Sequence, residues 1–315
     1  MADASLPESY NLCMGSLRPD TCRCVIFAVC FLAAGCASPA LDPSWPEPKP
    51  GAQGAPQGPA HEQRWLIPDP AAGVTMAATL WRPDGAGPFP LAVIAHASSQ
   101  DAAARNDDPA PKYRQLALWF VRHGYAVVLP VRPGQAPTGG PYREDQFGCV
   151  NPVYIESGLA TAEALDAALS YMWAQSFVRK EGAVIVGQSA GGWGALALAS
   201  ENPPGVRAIV NFSGGRGGHA GNRPGVNCAS EKLVAAAAHF GASARVPSLW
   251  LYAGNDSYFS PALSRQMADA WRAAGGKAEY DLLPPQRDEG HFFVEYPESA
   301  AAWSTQVESF LARTP

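Results

Sequence analysis

The sequence of 315 residues has few charged residues, no basic excess and no apolar run long enough to cross a membrane. Only 16% of its residues are charged and the formal net charge is -5, which argues against a nucleic-acid-binding protein. The apolar run of residues 24–34 is well short of the roughly 20 residues that a transmembrane helix needs. The sequence lacks a His-Glu-x-x-His motif, a Cys-x-x-Cys pair after residue 36 and a phosphate-binding loop. It therefore predicts no metal, cofactor or nucleotide.

The sequence does contain enough apolar residues for a sizeable core. Hydrophobic residues make up 47% of the chain, which excludes disorder throughout. The 31 glycines and 30 prolines indicate many turns on a folded frame. The length allows one large domain or two small ones.

The N-terminus resembles a secretion signal. Arg18 and Arg23 precede the apolar run, and small residues follow it, which is the order of a signal peptide. The run ends Leu-Ala-Ala-Gly-Cys at Cys36, which resembles a bacterial lipobox whose cysteine is lipidated. We therefore expect a lipid-anchored protein of the bacterial cell envelope, facing the periplasm or the exterior. A plain signal peptide or a buried apolar segment are the alternatives.

The composition divides the chain into three parts. Residues 1–35 are predicted to be the lipoprotein signal peptide, with translation starting at Met1 or Met14. Residues 36–60 hold seven prolines and three glycines, a density of helix and strand breakers that predicts a tether. Residues 61–315 are predicted to form a single domain.

The domain alternates strand-like and helix-like segments. An antiparallel pair (65–67 and 74–81) opens it, and short buried strands then alternate with helices, as in a parallel sheet covered on both faces. The predicted class is α/β, a mostly parallel sheet with helices on both faces. The later strands are predicted at 91–95, 125–129, 183–186, 207–210, 248–252 and 279–283, and the helices at 112–123, 157–173, 190–200, 261–274 and 299–312.

The strongest chemical signal is Gly187-Gln-Ser189-Ala-Gly191. It follows a buried strand and opens a helix, which is the context of a nucleophile elbow. The flanking glycines allow a sharp turn that exposes Ser189, and the helix N-terminus favours developing negative charge. An idle serine in a glycine-rich turn is the alternative.

A nucleophilic serine needs a base and an acid that orients it. His291 follows the last predicted strand in a loop that should reach the C-terminal edge of the sheet. Asp256 follows the preceding strand, so the order Ser189, Asp256, His291 is that of the hydrolase triad. Asp281 and Asp288 are rivals for the acid, and Asp288 and Glu289 beside His291 are expected to be solvated.

The oxyanion hole needs two backbone N–H donors. One is expected from Ala190, directly after the nucleophile. The other is expected from the loop after residues 91–95, where Ser98 is the first choice and Ala97 the second. His96 in this loop is expected to be structural.

These residues resemble the α/β-hydrolase superfamily, and more narrowly its dienelactone hydrolase and prolyl-oligopeptidase-like branch. The resemblance covers about residues 65–313. It rests on residues 187–191, on Asp256 followed by Pro261 and a helix, and on Gly-His-Phe at 290–292.

The resemblance implies the α/β-hydrolase fold, with Ser189 as nucleophile, His291 as base and Asp256 as its orienting acid. The sequence departs from the family pattern at His96-Ala97, where the family usually has His-Gly. The implied activity is that of a serine esterase on small-molecule esters. The alternatives are a serine peptidase or amidase of the same fold, and a non-catalytic envelope binding protein.

Aromatic and basic residues supply candidates for substrate binding. Three aromatic residues could line an acyl or aromatic pocket: Tyr142, Trp193 and Tyr258. For Trp193, packing within the fold is an equal alternative. A substrate carboxylate could be bound by one of three arginines, which more often pair with local acids: Arg132, Arg143 and Arg216.

The cysteines predict one disulfide. Removing residues 1–35 and lipidating Cys36 leaves only Cys149 and Cys228 of the seven cysteines. Both are expected in loops on the active-site side, and the cell envelope is oxidising. We therefore predict a Cys149–Cys228 disulfide, with two free buried thiols as the alternative.

Overall fold

A computed structural model describes residues 49–314, and its nine strands form a single sheet. The strands are β1 (Gly51–Gln57), β2 (Glu62–Asp69), β3 (Val74–Trp81), β4 (Leu91–Ala95), β5 (Ala126–Pro130), β6 (Ala183–Gln188), β7 (Val206–Phe212), β8 (Ser248–Ala253) and β9 (Ala278–Leu283). Their order across the sheet is β1-β2-β3-β5-β4-β6-β7-β8-β9.

Strands β4 to β9 pair in parallel, and β1 to β3 extend the β5 edge with antiparallel pairs. Every residue of β4, β5, β6 and β8 is buried. A parallel strand is covered on both faces, which explains the continuous apolar runs in the sequence. The predicted class, a mostly parallel sheet with helices on both faces, is confirmed.

Within residues 49–314, six α-helices cover the sheet: α1 (Ala110–Arg122), α2 (Tyr154–Trp173), α3 (Ala190–Glu201), α4 (Ser230–Ser243), α5 (Pro261–Ala273) and α6 (Ala300–Arg313). Successive side chains of a strand point to opposite faces. Leu91 and Val93 of β4 accordingly join the core with α2 to α5, whereas Ala92 and Ile94 join the core with α1 and α6. None of the helices within residues 49–314 has the length and apolar character of a membrane span.

Strand β1 corrects the prediction of a tether over residues 36–60. It pairs antiparallel with β2, and Gly51 lies opposite Leu66. Because β1 is an edge strand bonded on one side only, it tolerates Pro56, which has no N–H group. The folded part of the chain therefore begins before residue 61. The predicted signal peptide and Cys36 lie outside the described residues.

Candidate active site

Ser189 lies between β6 and α3 in a strained conformation. Its φ of 54° and ψ of -121° are unusual for a residue with a side chain. The turn needs glycine on both sides. A Cβ on Gly187 would lie 2.4 Å from the Gly191 carbonyl oxygen, and a Cβ on Gly191 would lie 2.0 Å from the carbonyl oxygen of Ala95. The structure thus has the sharp strand-to-helix turn that the sequence predicts.

The structure brings Ser189, His291 and Asp256 together. The Nε2 atom of His291 lies 2.9 Å from Ser189 Oγ, and its Nδ1 atom lies 3.2 Å from both carboxylate oxygens of Asp256. Asp256 Oδ1 also accepts hydrogen bonds from the backbone N–H groups of Tyr258 (2.8 Å) and Phe259 (2.9 Å). The histidine and the aspartate are both buried. A carboxylate held this way orients the imidazole so that Nε2 faces the serine hydroxyl.

The loop that carries His291 is held from both sides. His291 lies in a short 3₁₀ segment, Gly290–Glu295, after β9. Its N–H donates to Glu289 Oε1 at 2.8 Å, and its carbonyl accepts from Gln188 Nε2 at 3.0 Å. The hydroxyl of Tyr113 donates to Gln188 Oε1 at 2.7 Å.

These three contacts, made by Glu289, Gln188 and Tyr113, were not predictable from the sequence alone. The expectation that Glu289 is solvated is wrong, because its carboxylate binds the His291 backbone. Its nearness to His291 was the only sequence signal. Asp281 and Asp288, the rival acids, are both exposed.

The predicted oxyanion donors line the same cavity as Ser189. Ala190 is the first residue of α3, so its N–H has no acceptor within the helix. Ser98 and Ala97 both line the same cavity as Ser189 and Ala190. The N–H of Ala97 already donates to the Tyr113 hydroxyl at 2.8 Å, which favours Ser98 as the second donor.

His96 is held as a neutral structural residue. Burial, with the nearby charge of Arg132, lowers the pKa of His96 to about 3. Its Nδ1–H group donates to the Ala97 carbonyl at 2.6 Å, while Nε2 accepts from the backbone N–H of Arg132 at 3.4 Å. These contacts agree with the structural role expected of His96.

The three candidate arginines bind acids of the protein. Arg132 and Arg216 are buried on either side of Glu144, and Arg216 Nη2 lies 2.6 Å from Glu144 Oε2. Arg143 pairs with Glu163 at 2.6 Å near the surface. Their charges are thus already paired within the protein, which was the more frequent outcome expected for such residues.

The predicted aromatic residues have different surroundings. Trp193 takes the packing position, the second of its two expected places, since it is fully buried and its Nε1–H donates to the Tyr154 carbonyl at 2.8 Å. Tyr142 contacts the loop after β4: its hydroxyl is 3.1 Å from Ser98 Oγ, and its ring centroid lies 3.7 Å from the Arg105 guanidinium. Tyr258 lines the cavity.

A cavity of about 950 Å³ opens above Ser189. Cys149 and Cys228 both line it and are joined by a disulfide, with their Cα atoms 4.7 Å apart. The disulfide lies where the sequence predicts it. Within residues 49–314, no group of three or more His, Cys, Asp or Glu side chains is arranged to hold a metal ion.

Solved structures share this architecture. A Klebsiella pneumoniae protein assigned as a dienelactone hydrolase is 18% identical over 79% of this chain and 98% of its own, with a TM-score of 0.55. An esterase of Pyrococcus furiosus is 14% identical over 85% of this chain and 99% of its own, with a TM-score of 0.57. A puromycin-hydrolysing peptidase of Mycobacterium tuberculosis is 17% identical, over 82% of this chain and 39% of its own, with a TM-score of 0.56. At such identities the likeness establishes the α/β-hydrolase fold alone.

Sequence comparison adds the family. No curated protein matches the chain significantly. The family model described as X-Pro dipeptidyl-peptidase (S15 family) matches residues 72–275. Because this match spans more than half of the chain, the protein belongs to the X-Pro dipeptidyl-peptidase (S15) family and is a hydrolase of the α/β-hydrolase superfamily.

Proposed function

We propose that this protein is a serine hydrolase that cleaves small carboxylic esters through Ser189, His291 and Asp256. The observation that carries the proposal is the continuous hydrogen-bonded row from Ser189 Oγ through the His291 imidazole to the Asp256 carboxylate. The strained turn at Ser189 supports it, because strain of this kind clusters at functional sites.

The proposed mechanism follows from these contacts. Asp256 accepts the Nδ1–H bond, so the Nε2 lone pair of His291 takes the hydroxyl proton as Ser189 Oγ attacks the carbonyl carbon. The N–H groups of Ala190 and Ser98 stabilise the oxyanion. His291 then protonates the leaving alcohol, an acyl-enzyme remains on Ser189, and water activated by His291 releases the acid.

A peptidase or amidase is the second candidate. It is favoured by the S15 family match and by the puromycin-hydrolysing peptidase among the structural neighbours. The same three residues serve this chemistry, with His291 protonating an amine instead of an alcohol. A non-catalytic binding protein of the same fold is the remaining alternative.

The test uses a fluorophosphonate label together with matched ester and amide substrates. We expect the label to map to Ser189, and p-nitrophenyl acetate hydrolysis to fall by about 10⁴-fold or more in Ser189→Ala. Ser200→Ala, at the far end of α3, is the matched control and should keep full activity. Turnover of X-Pro anilides in preference to esters would favour the peptidase. A wild type that neither hydrolyses substrates nor takes the label would leave only the binding protein.

We further propose that the protein is a lipoprotein of the bacterial cell envelope, anchored through Cys36. The lipobox-like sequence before Cys36 and the low-charge apolar run support this. Cys36→Ser should move the protein from the membrane fraction to the soluble fraction of cells. An unchanged membrane fraction would contradict the anchor.

A further inference from the structure

The His291 ring belongs to a stack of three rings beside the active-site cavity. The rings of Tyr258 and His291 are stacked with their centroids 4.1 Å apart and an interplanar angle of 21°. His219 stacks on the other face of Tyr258, at 3.6 Å and 13°. Tyr258 is thus held between two imidazole rings, one of which hydrogen-bonds to Ser189.

Hydrogen bonds also connect the two outer members of this stack, His219 and His291. His219 Nε2 lies 2.7 Å from Ser257 Oγ, and the Ser257 hydroxyl donates to the Glu289 carboxylate. Since that hydroxyl has only one hydrogen, His219 Nε2–H is the donor to Ser257. Glu289 Oε1 in turn accepts the His291 N–H at 2.8 Å. The outer histidine is therefore linked through Ser257 to the same carboxylate that holds the His291 backbone.

We propose that Tyr258 and His219 are positioning residues for His291: the tyrosine face holds the imidazole plane and stabilises the imidazolium that forms when Ser189 reacts. This rests on the proposed role of His291 as the base. It adds a second role to Tyr258, which also lines the cavity as predicted.

The electrostatics of the stack favour this role. The face of an aromatic ring carries negative potential and attracts a cation placed over it. Burial lowers the pKa of His219, so the outer ring stays neutral at pH 7 and does not repel an imidazolium. Asp256 and Glu289 also lie near the stack, and both remain in every variant proposed here. The Tyr258 hydroxyl has no hydrogen-bond partner among the described residues, so the ring itself is what matters.

The test compares Tyr258→Leu with Tyr258→Phe. Leucine removes the aromatic face but keeps the site filled, and we expect kcat for p-nitrophenyl acetate to fall about threefold to tenfold with little change in KM. The acidic limb of the kcat/KM profile should also move to lower pH, because the imidazolium loses stabilisation. Tyr258→Phe should resemble the wild type in both respects. Tyr280→Leu, in a tyrosine stack away from Ser189, is the control for truncating a half-buried ring.

Two results would overturn the proposal. One is a Tyr258→Leu protein with a raised KM and an unchanged kcat, which would mean substrate binding. The other is a Tyr258→Leu protein whose kcat/KM profile keeps its acidic limb at the wild-type pH and which reacts with the fluorophosphonate at the wild-type rate. Failure of the wild type itself to be labelled at Ser189 would instead reject the proposed function.

The outer ring is tested separately with His219→Phe and His219→Ala. Phenylalanine keeps a stacked ring but loses the hydrogen bond to Ser257, whereas alanine loses both. We expect kcat to decrease in the order wild type, His219→Phe, His219→Ala, measured well below the unfolding temperature of each protein. Equal kcat values in all three proteins would exclude His219 from the positioning role.

Discussion

At the scale of single residues, Glu144 is a buried charge that pairs with two buried arginines. It is buried between Arg132 and Arg216, and Arg132 also donates from Nη1 to the His96 carbonyl at 2.9 Å. Burial acts to raise the pKa of Glu144, but the two guanidinium groups outweigh it and lower the pKa to about 2. The ionised carboxylate therefore joins the loop carrying His96 to the wall of the cavity.

Replacing this carboxylate should destabilise the protein in a pH-dependent way. Glu144→Gln leaves two buried guanidinium charges without a counterion, and we expect it to lower the free energy of unfolding at pH 7 by about 3–5 kcal/mol. The folded-state pKa lies below the ordinary value of 4.5, so the stabilisation is complete above pH 4.5 and is lost as the pH falls towards 2. Urea unfolding of both proteins across this range measures the difference.

A surface pair is the control for this prediction. Glu163→Gln breaks the partly exposed pair with Arg143 and should cost less than about 1 kcal/mol at pH 7. Equal stability of wild type and Glu144→Gln at pH 7 would contradict the argument.

Individual residues also show which contacts can be predicted from the sequence and which cannot. Ser189 and its two partners were predictable because their chain neighbours identify them: glycines around a strand-to-helix turn, and loops after successive parallel strands. For Trp193 the sequence left a pocket position and helix packing both open, because α3 is buried on almost every side and its sequence shows no distinct face. The pairing of Glu144 with Arg216 joins residues 72 positions apart, and no local pattern reports such a contact.

At the scale of elements, the predicted strands and helices of the parallel sheet agree with the structure to within a few residues. The central strands are recognisable as short continuous apolar runs, because a parallel strand is buried on both faces. The two elements not predicted, β1 and α4, have weak patterns. Strand β1 is rich in glycine and proline, and it exists because β2 offers an unpaired edge. Helix α4 contains four consecutive alanines, residues 235–238, which give little contrast between its faces.

At the scale of the whole molecule, the disulfide joins two distant parts of the chain across the cavity. Cys149 lies in the connection from β5 to α2, and Cys228, 79 positions later in the sequence, precedes α4. The Cys228 N–H donates to the Gly217 carbonyl at 2.8 Å. The bridge therefore also fixes the loop between β7 and α4, which carries His219. Two walls of the cavity are thus tied together by one covalent bond.

Removing this bond should affect both stability and substrate binding. In the double variant Cys149→Ser/Cys228→Ser, we expect the free energy of unfolding to fall by about 2–4 kcal/mol, because the unfolded chain is no longer constrained. KM should rise because the bridge lines the cavity, and kcat should fall no further than in His219→Ala, because the bridge fixes the loop that carries His219. Dithiothreitol should reproduce both effects in the wild type and leave the double variant unchanged. The contrary result is a wild type whose thiols become alkylated after reduction but whose KM and unfolding midpoint do not change. It would show that the bridge is dispensable for the shape of the cavity.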